Sequence, residues 1–145
     1  ANATEDRSHF GAWAVSSSPL ILGFDARDAA TLDRVWPTIS NREVIGVNQA
    51  WAGSPGVRLD ATPQAQSWAK PLGGGSHALF IISNTSGPID VRVPLGAVSP
   101  ELNATGAVVH ARDLYTAADL GVVSGAFDAK ALGAHDSRFI RLALA

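Results

Sequence analysis

Up to about Gly53, the apolar positions of this chain recur at helical spacing around one unbroken apolar run; beyond Gln66 they follow strand patterns. Phe10, Trp13, Ala14 and Ser17 form a stripe at three- and four-residue intervals. Thr4 is the expected N-cap, Glu5 and Asp6 place negative charge in the first turn, and Ser18-Pro19 ends the helix. Leu20 to Phe24 is continuous and apolar, the signature of a strand buried on both faces, as in a parallel sheet. Asp28 is placed to cap a short helix carrying Leu32 and Val35 and stopping at Trp36-Pro37. Ser40 to Glu43 fits a capping box before Val44, Ile45 and Val47. Helix, buried strand, helix is the order of an α/β barrel or a doubly wound sheet.

The stretch from Gly53 to Gln66 is rich in turn formers and reads as a linker. After it, Leu79 to Ile82 is an apolar run, and Ile89, Val91 and Val93 alternate with Asp90 and Arg92. Ala107 to Ala111, Val122 to Phe127 and Phe139 to Leu144 extend the series. Turn signals fall at Leu72 to Gly75, Asn84 to Gly87 and Leu132-Gly133. Short strands at this spacing predict an antiparallel sandwich. The expected division is 1–55, 56–66 and 67–145: an α/β segment, a linker and an all-β domain. The first segment cannot stand alone, because one buried-type strand with two helices leaves both strand edges and an apolar face uncovered.

The composition excludes several functions. Eleven basic against thirteen acidic residues give a net charge of -2, so there is no basic field for nucleic acid. No apolar run reaches the ~20 residues of a membrane span. Zero Cys excludes disulfides, thiolate metal sites and a thiol nucleophile. Zero Met means that the chain lacks its own start residue, and it is expected to be a processed or excised piece. His9, His77, His110 and His135 have no metal-ligand spacing, so no metal or cofactor is expected. Ser8-His9 is adjacency, not triad geometry. Gly73 to Gly75 lacks the Lys-Ser/Thr ending of a phosphate loop and reads as a hairpin turn. Trp13 is expected in the core, and Trp51 and Trp68 at an interface flanking the linker. Three of the five Asn residues, Asn2, Asn84 and Asn103, lie in N-glycosylation sequons.

Three stretches resemble the α-galactosidase and α-N-acetylgalactosaminidase (melibiase) family of retaining glycoside hydrolases. TEDRSHFGAWAVSSSPLILGFD, Thr4 to Asp25, resembles the family's seventh barrel helix running into its eighth strand. SNREVIGVNQ, Ser40 to Gln49, is similar to the SNKEVIAVNQ of its last barrel helix. SWAKPL, Ser67 to Leu72, and ARDL, Ala111 to Leu114, resemble strands of its C-terminal β domain. The chain departs from the family at Ala50 to Gly53, where Asp-Pro-Leu-Gly is usual, at Phe24, where Cys or Asn is common, and in the extra Trp36-Pro37.

The resemblance implies the last helix-strand-helix of a (β/α)8 TIM barrel followed by an antiparallel β-sandwich. Its partner would be the N-terminal remainder of the barrel, its substrate an α-galactoside, and its location the secretory pathway, ending outside the cell or in a vacuole or lysosome. Retaining hydrolysis needs two carboxylates. Both family aspartates lie on earlier barrel strands, so no catalytic residue is carried over. Asp25, at the C-terminal end of the expected strand, has two open roles: lining the pocket rim or bonding the turn before Arg27. Two non-enzymatic readings stand beside this one: a glycoprotein component of a wall, matrix or larger assembly, and a carbohydrate-binding sandwich module.

Overall fold

The computed structural model describes residues 2–145, and its largest element is a six-stranded antiparallel sheet. In chain order the elements are α1 (Ala3–Val15), α2 (Ala29–Ile39), α3 (Arg42–Gln49), β1 (Val57–Ala61), β2 (Ala65–Gly73), β3 (Ser76–Ser83) and β4 (Ile89–Pro94). There follow α4 (Leu95–Val98), a 3₁₀ turn (Pro100–Asn103), β5 (Val109–Asp113), β6 (Ala118–Val123), β7 (Ala126–Leu132) and β8 (Ser137–Leu144). The large sheet runs β1-β2-β3-β8-β5-β6, and β4 pairs with β7 in a second, two-stranded sheet. The antiparallel sandwich expected from the spacing is therefore present.

The unbroken run at Ala78 to Ile81 marks a strand covered on both faces, with all four side chains buried. Leu79 and Ile81 point inward with Ile140, Leu142, Val109 and Ala111, against Val93, Phe127, Ala129 and Leu132 of the small sheet. Ala78, Phe80 and Phe139 point outward, against Ala14 and Val15 of α1 and Val44 and Val47 of α3. Phe80 and Phe139 meet edge to face at 5.4 Å. The helices are thus a third layer on the sandwich.

Several local expectations are corrected. Asn2, not Thr4, caps α1: its Oδ1 accepts from Glu5 N–H at 2.9 Å, and the Glu5 carboxylate accepts from Asn2 N–H at 3.2 Å. The helix ends in a Schellman turn, with Ser18 N–H donating to Trp13 O and Ser17 in the left-handed region at φ 58°. Asp28 caps α2 as expected, but the helix runs through Pro37 to Ile39, since one proline near a helix end forfeits only one backbone bond. Asn41, not Ser40, caps α3, and its Oδ1 accepts from the N–H groups of Glu43 and Val44; Ser40 instead closes α2 by donating to Trp36 O. The expected linker carries β1, drawn into the sheet by pairing with β2, and Val122 to Phe127 spans two strands joined at Ser124-Gly125.

Leu20 to Phe24, expected as a strand whose edges this chain leaves uncovered, is unpaired. The expected parallel strand is not formed, and among the described residues no strand lies beside the segment. Ile21 is 71% and Leu22 53% exposed. A parallel strand exists only through a neighbour's N–H and C=O groups, and among the described residues every strand belongs to the antiparallel sheets.

Candidate functional site

The corner where the helices meet the sandwich gathers the polar chemistry of the chain. Asn41 Nδ2 donates to Leu114 O at 2.9 Å, fixing the start of α3 to the β5–β6 connection. One residue pair further on, Arg112 forks onto the Glu43 carboxylate, at 3.0 Å through Nε and 2.6 Å through Nη2, while its Nη1 reaches Asp119 at 2.8 Å. The guanidinium holds the Glu43 carboxyl below its usual value, and the two carboxylates hold the Arg112 cation above its own. At the other end of α3, the fully buried Lys70 of β2 donates from Nζ to Val47 O at 2.6 Å and Asn48 O at 3.3 Å. Burial lowers the affinity of that amine for its proton. SNREVIGVNQ is therefore clasped at both ends by residues of SWAKPL and ARDL.

A second set of contacts pins α1. Arg7 Nη2 donates to Asp136 at 2.6 Å, His135 faces Glu5 at 3.1 Å, and Ser8 Oγ bonds His135 O and Ser137 Oγ. Tyr115 OH lies 2.7 Å from Ser137 Oγ, with the Arg7 guanidinium 4.8 Å above its ring. Burial in this cluster moves the Tyr115 phenol well above its ordinary value. Ser8 Oγ is thus bonded at the start of β8 rather than to His9.

Between α1, α2 and the unpaired segment lies an open apolar groove of about 200 Å³, lined by Phe10, Trp13, Ile21, Leu22, Phe24 and Val35. Asp25 follows at its end. Its carboxylate accepts from Arg27 N–H, Nε and Nη2, each at 3.0 Å, and these bonds lower its pKa. Asp25 and Arg27 are both exposed.

The remaining sequence candidates do not converge. Asn2, Asn84 and Asn103 are exposed. His77 sits near Glu101 at 3.6 Å, His9 abuts Trp13 edge-on, and among the described residues no group of three potential metal ligands forms. Trp13 and Trp68 line a groove with Phe80, whereas Trp36 and Trp51 are 58% and 64% exposed. Lys70, Arg112 and Asn48 stood inside quoted motifs without a role. The available signal was a lone lysine in a strand of small and apolar residues.

Residues 62–142 match the family described as the alpha galactosidase C-terminal beta sandwich domain. An α-galactosidase of Coffea arabica is 37% identical over 137 residues, covering 93% of this chain and 34% of the relative. One of Cyamopsis tetragonoloba is 34% identical over 126 residues, covering 87% and 29%. The crystal structure of α-galactosidase I from Mortierella vinacea superposes with a TM-score of 0.87 at 25% identity, covering 98% of this chain and 36% of that one. The chain thus spans about a third of the length of the relatives it matches. With its two-sheet topology and the clasped third helix, the chain belongs to the α-galactosidase family of glycoside hydrolases, residues 62–142 being that family's C-terminal β-sandwich domain.

Proposed function

We propose that this chain closes a (β/α)8 barrel and docks the sandwich onto it in an enzyme that removes terminal α-galactose with retention. The observation that carries the proposal is the unpaired apolar segment Leu20 to Phe24 beside an open groove. Exposed Ile21 and Leu22 cost hydrophobic free energy unless covered, and neighbouring barrel strands would cover both and satisfy the segment's backbone. On this reading residues 1–55 complete the barrel, and Leu20 to Phe24 becomes its last strand. The nucleophile and acid/base carboxylates lie outside this chain, and the chain contributes position rather than chemistry. Asp25, at the end of that strand, sits at the rim of the sugar pocket, its Arg27 pairing holding it ionised.

Asn2, Asn84 and Asn103 fit a glycoprotein of the secretory pathway, retained in a vacuole or lysosome or released outside the cell. The test of the enzymatic reading compares two polypeptides. The 145-residue chain alone should not turn over an aryl α-galactoside, whereas a polypeptide joining it to the preceding barrel should, releasing α-galactose first by NMR. Turnover by the short chain, or none by the long one, would overturn the assignment.

A further inference from the structure

Lys70 is completely withdrawn from solvent, yet among the described residues its ammonium meets no carboxylate. An apolar side chain of similar length would fill that volume without the cost of burying a cation, so the charge has a polar task. Its partners define the task. Val47 O and Asn48 O belong to the last turn of α3, where carbonyls lack helical donors and the helix end carries partial negative charge. The cation therefore fixes where α3 stops.

From that point a second bond leads onward. Asn48 Nδ2 donates to Ser18 O at 2.7 Å and lies 3.4 Å from Trp13 O, the two carbonyls that bracket the Schellman turn ending α1. Gln49 Nε2 donates to Asn48 Oδ1 at 2.7 Å, which sets the orientation of the amide. Pro19 follows directly, and after it the segment that no described strand holds. The same corner is closed from below by Gly56, whose N–H donates to Val15 O at 2.8 Å.

We infer that Lys70 and Asn48 are positioning residues that transmit the placement of the sandwich, through the end of α3 and the Ser18 carbonyl, to Leu20–Phe24 and so to Asp25. The catalytic part of this inference rests on the function proposed above; the mechanical part does not. In an enzyme built as proposed, a shift of the last strand would move the pocket rim relative to the catalytic carboxylates, a displacement that acts on turnover rather than on binding.

Hydrogen exchange followed by mass spectrometry, on the polypeptide that joins this chain to the rest of its barrel, separates the two parts. In Lys70→Met and in Asn48→Ala, amides of residues 20–25 should exchange roughly tenfold faster or more, while those of β3 keep wild-type rates. The kcat on an aryl α-galactoside should fall with KM nearly unchanged, and the double variant should lose no more than the worse single one. Unchanged exchange at 20–25 in both variants, an equal rise in β3, or additive losses would overturn the inference. If Lys70→Met does not fold, Asn48→Ala, which leaves the cation paired, decides alone. A wild-type polypeptide without α-galactoside turnover would remove the proposed function, leaving the exchange rates to judge the relay.

Discussion

Ser17 holds a conformation that side chains avoid. Its φ of 58° ends α1 where glycine is usual, and its Oγ is buried without a hydrogen-bond partner among the described residues. Replacing Ser17 by Gly removes both penalties, and chemical denaturation should show a gain of about 1 kcal/mol. Gly56 is the opposite case. A Cβ there would stand 2.2 Å from Val15 O, which is backbone and cannot swing aside. Gly56→Ala should therefore cost at least ~2 kcal/mol by the same measurement, through forced separation of α1 from the start of β1. Asp25 divides the two roles left open by its position. In the joined enzyme, Asp25→Asn should lower kcat/KM roughly tenfold or more if the carboxylate lines the pocket, and unchanged kinetics would assign it to the Arg27 turn alone.

At the scale of elements, α3 is the hinge pin of the molecule, held by Asn41 and Glu43 at one end and Lys70 at the other. The Glu43–Arg112 fork makes this attachment sensitive to acid. The folded-state pKa of Glu43 lies below its ordinary 4.5, so its contribution is complete above that value and is lost as pH falls through the folded one. The wild-type melting temperature should drop on acidification below about pH 4.5, and Glu43→Gln should be less stable near neutrality with a flatter acid limb. The element boundaries show where pattern reading succeeds and fails. The existence of all three long helices and of β3, β4, β5 and β8 was legible from spacing. The caps were not: Asn2 and Asn41 won over Thr4 and Ser40 because the N–H groups they reach are set by where the helix starts in space.

Among the described residues, Ile21 and Leu22 form an exposed apolar surface with the groove they line beside Phe10, Trp13 and Phe24. Surfaces of this kind promote association. The isolated chain should sediment as a concentration-dependent mixture in analytical ultracentrifugation, and Ile21→Ser with Leu22→Ser should return it to a monomer. The joined polypeptide should need no such change, because the same residues would be buried in it.

Periodicity and turn chemistry alone decided that a helical half precedes a β half, that the β half is antiparallel, and that Leu20 to Phe24 is one continuous apolar run. The family followed from four short motifs. What they could not convey is that those motifs touch one another: Glu43 and Arg112 are 69 positions apart, and Lys70 and Val47 are 23. A contact between distant residues depends on the summed geometry of everything between them, which no local spacing encodes. Nor could local spacing show which backbone would pair with Leu20 to Phe24, since a strand is defined by its neighbour's backbone as much as by its own side chains.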